Sequence, residues 1–409
     1  MKYNKWTVAL AALGVVSLAS AAKAEEKASP VMTALSSTTI SGYVDTSAQW
    51  NFGTGNGNLP PYKFGGTRKA DGFNLDVVQL RIDKPLDEQD WAAGYRVDLW
   101  FGPDANNIVA PGLGTSSLGV TAQDFAIRQA YVALRAPVGK GLDFKMGVFD
   151  SIIGYESIEA GNNPNFTRSY GHSIEPQTET GLLASYRFCD CFTASLGVAD
   201  TFGPTINDRA FAPVDGGHRA SESYKTYMGS VALTAPESMG FLSGSTLYAG
   251  IVNGFADNGL VAPRSSAVTS YYVGATVATP VTGLRAGASF DYLNIAHANN
   301  DDYSFAGYLS YQASEKLSFH GRAEYLKDKL GNVPGRGSFL FPFVPAGGKA
   351  EVLALTGTVQ YDLWKNVISR LELRWDHSLT DTPLFGGPVG GAPAMDNAWM
   401  LAANVIYKF

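Results

Sequence analysis

Beyond its first 24 residues, the sequence lacks any stretch near the roughly 18 to 20 consecutive apolar residues that a membrane-spanning helix needs. A mean hydropathy of -0.04 likewise excludes a helical membrane protein. Only 2 of the 409 residues are Cys and 5 are His, and no HExxH or other metal-ligand spacing occurs. A G-x-S-x-G nucleophile elbow is also missing. The sequence therefore offers no histidine-based metal motif and no recognisable motif for nucleophilic catalysis.

The first 24 residues carry the pattern of a secretory signal peptide. Lys2 and Lys5 precede an apolar run over residues 8–22, and Ala22-Lys23-Ala24 supplies the small-x-small cleavage pattern. We predict cleavage after Ala24, followed over residues 25–37 by a short polar periplasmic segment. Cleavage leaves 28 basic and 37 acidic residues, a formal charge of -9. This balance argues against nucleic acid as a partner and favours cations in any pore.

Residues 38–409 show the two-residue period of β-strands. About sixteen segments alternate in this way, each near the 9 to 11 residues of a tilted transmembrane strand. In one of them, Leu317, Phe319 and Tyr325 share a face without charge, while Arg322 and Glu324 lie on the opposite face. An Arg that faces lipid at mid-depth costs about 2 to 4 kcal/mol. The pattern therefore predicts one apolar face towards lipid and one polar face towards a lumen.

Connections between these segments alternate between short and long. Seven short turns and eight long loops separate the sixteen segments, with both termini on the short-turn side. Trp91 and Trp364 lie near short turns, whereas Trp50 and Trp375 lie towards long loops, as in the two aromatic girdles of a membrane barrel. We therefore predict an all-β fold: a transmembrane antiparallel up-and-down β-barrel of about sixteen strands, with long extracellular loops and short periplasmic turns.

The region around residues 147–186 resembles a known family. Its distinctive elements are Gly147-Val148-Phe149-Asp150, Gly154-Tyr155-Glu156, Asn165-Phe166-Thr167-Arg168-Ser169-Tyr170, Glu175-Pro176 and Thr180-Gly181. Together they resemble the putative beta-barrel porin-2 family of Gram-negative outer membranes. The last strand, which alternates from Trp399 to Phe409, resembles the closing strand of such barrels. The resemblance implies a pore in the outer membrane and names no solute.

The third long loop, residues 151–180, is the longest and the richest in charge. In sixteen-strand porins the corresponding loop folds into the lumen and narrows it, so the resemblance implies an inward-folding loop here. The candidate constriction residues of the loop are Glu156, Glu159, Arg168, Glu175 and Glu179. The inward residues expected to face them are Arg81, Arg96, Arg322, Arg370 and Arg374. Opposed charges across a narrow slot create a transverse field; the alternative is a charged loop solvated at the cell surface.

Two smaller constellations leave alternatives open. Cys189 and Cys191 flank Asp190 at a proposed tight turn. Three interpretations are open: two small turn residues, a strained periplasmic disulfide bridge, or part of a redox or metal site, which would need further ligands. The Asn299-Asn300-Asp301-Asp302 run has oxygen ligands suited to a divalent cation, but Asn and Asp equally suit a polar loop tip. We predict neither a cofactor nor a resident metal.

Three functions fit these features. The leading hypothesis is a passive porin for small hydrophilic solutes or ions. It predicts export to the bacterial outer membrane, where the barrel contacts the lipids, and a homotrimer as the porin-like assembly. The second is an enzyme embedded in a barrel, such as a lipase or protease. The third is a closed structural or surface-interaction barrel, for which the apolar residues 339–343 supply a contact patch.

Overall fold

The computed structural model describes residues 37–53, 55–108, 124–207, 209–210, 224–255, 267–296, 300–329, 340–341, 343–344 and 348–409. The predicted signal peptide, nearly all of the segment 25–37, and parts of the 299–302 and 339–343 clusters lie outside these ranges. Within the described ranges, no helix is long and apolar enough to cross a membrane.

Sixteen antiparallel strands form the described part of the chain. They are β1 (Thr39–Asn51), β2 (Gly72–Lys84), β3 (Ala93–Phe101), β4 (Phe125–Ala136), β5 (Leu142–Asp150), β6 (Thr178–Cys189), β7 (Phe192–Ala199), β8 (Thr226–Thr234), β9 (Thr246–Phe255), β10 (Ala267–Ala278), β11 (Leu284–Ile295), β12 (Asn300–Gln312), β13 (Leu317–Lys329), β14 (Lys349–Trp364), β15 (Val367–Ser378) and β16 (Asn397–Lys408). Each strand pairs with its sequence neighbours, and β1 pairs with β16. The predicted closed up-and-down barrel is confirmed.

In the described parts of the connections there are five short helical pieces. Two are α-helices, α1 (Ala105–Ile108) and α2 (Tyr170–Ile174). Three are 3₁₀ turns, at Thr67–Lys69, Ala160–Asn162 and Glu237–Leu242. All of them are too short to be stable alone, so their packing against the barrel must hold them in place.

The wall follows the alternation of the sequence. On β13, Phe319 is 44% exposed on the outer face, whereas Arg322 and Glu324 are buried on the inner face. Bulky apolar residues of the other strands, such as Leu309 and Leu371, are exposed in the same way. In a closed sheet every backbone hydrogen bond is satisfied between strands, so an apolar outer face of this kind suits hydrocarbon. Charged residues in the middle of the strands, such as Arg322 and Glu324, thereby face the lumen.

The turn between β6 and β7 contains both cysteines. The structure joins Cys189 to Cys191 in a disulfide, with 5.2 Å between the Cα atoms. Strand pairing is irregular between Arg187 and Cys189, so the pair does not sit in a regular strand. Of the alternatives that the sequence left open, the structure therefore supports a disulfide bridge at the turn.

An apolar cluster fills part of the barrel mouth at the end that carries the long loops, called here the long-loop end. Lumen-facing Leu326 and Val352 pack there with Phe341 and Phe385 from the loops and with Tyr170 from α2. Apolar residues on the inner face of a membrane barrel need a cover, because the lumen is otherwise wet. The loops after β13 and β15 supply that cover.

Candidate functional site in the barrel lumen

The chain between β5 and β6, residues 151–177, runs inside the barrel and is called here the lumen segment. Tyr155 stacks on Tyr308 of β12 with 4.1 Å between ring centroids. Ile153 packs against Gly250 of β9, where a Cβ would lie 2.5 Å from the Ile153 side chain. At the opposite wall, Lys408 of β16 donates a hydrogen bond of 3.1 Å to the carbonyl of Gly161. The segment thus reaches several sides of the lumen.

Local hydrogen bonds shape the lumen segment. Asn163 accepts from the Ser157 amide at 2.8 Å and donates to the Glu159 carbonyl at 2.9 Å, which closes a turn around the 3₁₀ helix. Ser169 caps α2 by accepting from the amide of His172 at 3.1 Å, as Ser commonly does at a helix N-terminus. Arg168 donates to the carbonyl of Ile158 at 2.8 Å, so it holds its own segment together.

Glu159 is the centre of the first charge cluster. Its carboxylate accepts from Arg128 at 2.9 Å, forms an ion pair with Arg81, and lies 3.6 Å from Arg96. Asp98 of β3 bridges the same three arginines from the wall, with contacts of 2.8 to 3.0 Å. Burial opposes ionisation of Glu159, but the positive charges of Arg81 and Arg128 outweigh it and lower the pKa of Glu159. Glu159 therefore remains a carboxylate.

Glu156 takes part in a second cluster at the opposite wall. It pairs with Arg322 of β13 at 2.8 Å, and Arg322 also pairs with Glu324 at 2.7 Å. Arg322 further donates to the carbonyl of Thr167 at 2.7 Å. The Arg322 and Glu324 side chains are fully buried, so this contact combines charge, hydrogen bonding and packing. It fixes the middle of the lumen segment to β13.

Carboxylates of the wall bind the backbone of the lumen segment. Glu372 of β15 accepts from the amides of Phe166 at 2.6 Å and Thr167 at 2.9 Å. Glu324 accepts from the amide of Tyr170 at 2.7 Å. Hydrogen bonds to a charged acceptor are about twice as strong as neutral ones. These contacts leave fewer unsatisfied amides in the segment and place it at a fixed height in the barrel.

Arg370 and Arg374 contact the backbone of the lumen segment and form no ion pair with its acids among the described residues. Arg370 donates to the carbonyls of Ala160 at 3.0 Å and Asn163 at 2.6 Å. Arg374 donates to the carbonyl of Arg168 at 2.8 Å and pairs with Asp376 at 2.9 Å. Both arginines therefore anchor the segment through its peptide groups.

Glu179 and Glu175 stand apart from the arginines. Glu179 belongs to β6, and no ion pair with it occurs in the described part of the chain. Glu175 follows α2, with an Oε2 atom 3.5 Å from Nδ1 of His172. Burial lowers the pKa of His172, as does the charge of Arg168, so the imidazole is neutral. The structure thus groups Arg81, Arg96 and Glu159, separately groups Glu156 and Arg322, and leaves Glu175 and Glu179 outside both groups.

Glu175 lies where α2 packs on β11. A Cβ on Gly171 would collide with the Asp291 carboxylate, and one on Gly154 would collide with that of Glu175. Burial raises the pKa of Glu175 well above its usual value, and the charge of Asp291 and that of Glu156 raise it further, while Lys63 opposes them. The protonated form of Glu175 is therefore the one that suits the fold.

Glu175→Gln is expected to remove a pH dependence of stability. A carboxyl with a raised folded pKa contributes its full stability below the unfolded pKa, and that contribution is lost as pH rises through the folded pKa. The wild type should therefore lose stability relative to Glu175→Gln as pH rises from the usual Glu pKa of about 4.3 towards the raised pKa of folded Glu175. Denaturant unfolding at several pH values measures this, with the exposed-turn variant Glu315→Gln as control. Parallel curves for the wild type and Glu175→Gln contradict the prediction.

A closed sixteen-strand antiparallel barrel with an apolar outer face and a charged lumen defines the class of porin-type outer-membrane barrels. The chain belongs to the putative beta-barrel porin-2, OmpL-like family, whose model matches residues 37–409. The family resemblance stated from the sequence is thereby confirmed. Comparison with proteins of curated function gives no match.

Solved structures share the fold. The anion-selective porin from Comamonas acidovorans is 12% identical, with 91% of this chain and 99% of that chain covered and a TM-score of 0.57. OmpF of Salmonella typhi in complex with daunomycin is 14% identical, with 91% and 97% covered and a TM-score of 0.56. The trimer form of Vibrio cholerae OmpT is 13% identical, with 91% and 99% covered and a TM-score of 0.55. At such identities the likeness shows the fold alone.

Proposed function

We propose that the protein is a passive, water-filled channel through which small hydrophilic solutes or ions cross the bacterial outer membrane. The observation that carries this proposal is the lumen segment, which is held by charged residues on the inner face of a closed barrel. Passage then depends on solute size and on lumen charge, without covalent chemistry. Export through a cleaved signal peptide of residues 1–24 is part of the same proposal.

The route we propose follows the wall formed by β6 to β8. Charged side chains of β2 to β4 and of β13 to β15 hold the lumen segment by ion pairs and by hydrogen bonds to its backbone. The wall between those two groups carries small hydroxyl side chains on part of its inner face, including partly exposed Ser185, Thr193 and Ser230. Elsewhere on this face, Leu183 and Met228 pack with Ile153 of the lumen segment. Hydroxyl groups can exchange hydrogen bonds with water and with polar solutes. Charge from the arginines and acids acts on this route from the side.

Single-channel recording on the mature chain, residues 25–409, tests the proposal. The chain is refolded in detergent, inserted in a planar bilayer and recorded under a salt gradient. Stable conductance steps support the channel, and the reversal potential gives its ion preference. A folded barrel that never conducts overturns it. Esterase and protease assays on the same preparation should show no turnover, since we propose that the protein is not an enzyme.

A homotrimer is the assembly we propose. Vibrio cholerae OmpT, one of the proteins of similar fold, has a trimer form, and this supports the same state here by analogy of fold. Light scattering of the detergent-solubilised protein, corrected for bound detergent, measures the mass of the assembly. A mass of one chain at all concentrations contradicts the trimer and leaves the channel proposal intact.

A closed surface-interaction barrel is the second candidate. The apolar cluster at the long-loop end favours it, because Phe341, Val344 and Phe385 are all at most 5% exposed and cover lumen-facing residues. A mouth filled in this way leaves less room for solute entry. The same recording separates the two candidates: this one requires a silent barrel, whereas the leading proposal requires conductance.

A further inference from the structure

A shallow groove crosses the outer face of β11 to β16. Its floor consists of small residues, among them Gly307, Gly321 and Gly357, which lie on adjacent strands. Gly321 pairs directly with Gly357 across β13 and β14. A Cβ added to any of these three glycines would have no heavy atom within 4 Å, so the space above them is open. The groove has a volume of about 740 Å³.

The sides of the groove are apolar and aromatic. Leu309, Leu355 and Leu373 stand around the glycines, and Trp375 and Trp399 border the groove towards the long-loop end. The two indole rings lie 5.9 Å apart. Aromatic residues at this height mark the edge of the hydrocarbon layer in membrane barrels. The groove therefore lies at the depth of the acyl chains of the leaflet on the long-loop side.

Three lysines stand on the same outer face, closer to the long-loop end. Lys327 and Lys329 follow each other at the end of β13, and Lys329 pairs directly with Lys349 of β14. Like charges directly opposite each other destabilise a strand pair. Asp301 lies 3.4 Å from Lys329, and Glu351 lies 2.9 Å from Lys349. Counting these three lysines and two acids, the described part of the patch has one excess positive charge.

The lysines remain available to an anionic ligand. The Lys329 and Lys349 side chains are 51% and 57% exposed, and solvent screens exposed ion pairs so strongly that they hold their partners only weakly. The Lys327 ammonium lies 5.4 Å above the ring of Tyr303, which directs it along the outer wall. A phosphate between Lys329 and Lys349 would offset their mutual repulsion. An anion at this position therefore completes an arrangement that the protein alone leaves unbalanced.

We propose that this face binds one anionic, phosphate-bearing lipid, with the phosphate on the lysines and an acyl chain in the groove. The spacing fits such a molecule. Lys327 and Gly321 are six residues apart on β13. For a strand tilted by about 45°, this separation corresponds to a height difference of about 14 Å along the membrane normal. Half of the hydrocarbon core is about 15 Å. An acyl chain that starts at the level of the lysines therefore reaches the glycines.

A lipid explains this face better than a second copy of the chain does. A second copy could cover the glycines, but its own apolar wall would not offset the excess positive charge that remains beside Lys329 and Lys349. The phosphate-bearing lipid accounts for both the groove and the cationic patch, because one molecule has both an acyl chain and a phosphate. The proposal does not depend on whether the lumen conducts.

Native mass spectrometry of the mature chain in detergent tests the proposal. The probes are phosphatidylglycerol and phosphatidylcholine with the same acyl chains, which differ in net charge. The wild type is expected to retain phosphatidylglycerol preferentially, and Lys329→Ala/Lys349→Ala should lower that retention by about tenfold or more, since a cation near a membrane surface contributes about 1 kcal/mol. Lys316→Ala, on an exposed short turn, is the matched control and should retain the lipid like the wild type.

A groove-filling variant provides the second arm. Gly321→Val/Gly357→Val places β-branched residues in open space on two strands, where they favour the sheet, so the barrel should fold. Retention of both lipids should fall, because the acyl chain loses its place. Equal retention of the two lipids by the wild type overturns the proposal. So does a groove variant that becomes monomeric while it retains lipid normally, since the groove would then be a contact between copies.

Discussion

The Glu159→Gln channel is expected to pass anions several-fold more readily, relative to cations, than the wild-type channel. Glu159 is the carboxylate of the lumen segment that Arg81, Arg96 and Arg128 share. Glutamine keeps the shape of the side chain but removes one negative charge from beside three positive ones. Because water in a narrow lumen screens charge less than bulk water does, the remaining positive potential should attract anions.

Reversal potentials under a salt gradient measure this change. Glu315→Gln makes the same chemical change on an exposed short turn and should leave the potential as in the wild type. The effect should shrink at high salt, as expected for a charge that acts through water. If Glu159→Gln and wild-type channels have the same reversal potential, solutes do not pass close to this cluster, and the proposed constriction is wrong.

The barrel could be predicted from the sequence because one rule governs the whole wall. Each strand alternates with period two, and a single slip would turn Arg322 or Glu372 towards lipid. The same penalty applies to every strand, so each strand independently indicates which of its faces points towards the lumen. The same rule placed Arg81, Arg96, Arg370 and Arg374 on the inner face, where the structure has them.

Arg128 shows where the alternation fails. It lies at an irregularity in β4, where Asp98 pairs with Gln129 and the next residue, Leu99, pairs with Ile127. The extra residue changes the period of the strand, so Arg128 and Gln129 are both buried although they are consecutive. A bulge of this kind leaves no clear mark in a single sequence. Arg128, a full member of the Glu159 cluster, was therefore missed.

The contacts of the lumen segment depend on position in the closed barrel, which sequence spacing does not reveal. Glu372 binds the amide of Thr167 from 205 residues away. The alternation of β15 predicts that Glu372 faces the lumen. Its height relative to the lumen segment, however, depends on the stagger of the whole sheet. Backbone amides also have no sequence signature. For both reasons Glu324, Glu372 and Asp376 were absent from the predicted site. They nevertheless hold the segment as directly as the arginines do, and Asp376 accepts a hydrogen bond of 2.7 Å from the Tyr170 hydroxyl.

Arg322→Met is expected to destabilise the barrel by about 3 kcal/mol, the lower end of the cost of breaking a buried ion pair, because lumen water can enter the vacated space. Methionine fills similar volume but leaves Glu156 and Glu324 without their shared cation. It also removes the hydrogen bond to the Thr167 carbonyl. The lumen segment should consequently become mobile, and single-channel current should become noisier than that of the wild type.

A double-mutant cycle with Glu156→Gln isolates the contact between segment and wall. Denaturant unfolding of the wild type, both single variants and Glu156→Gln/Arg322→Met in the same lipid gives the coupling free energy between the two side chains. We expect the double variant to be more stable than the sum of the single losses predicts, since the neutral amide at position 156 would no longer be a stranded charge. Arg322→Lys should restore the charge but only part of the stability, because an ammonium cannot reproduce the fork of hydrogen bonds to Glu156, Glu324 and the segment backbone. Additive losses would mean that Glu156 and Arg322 stabilise the barrel separately and that this pair does not anchor the lumen segment.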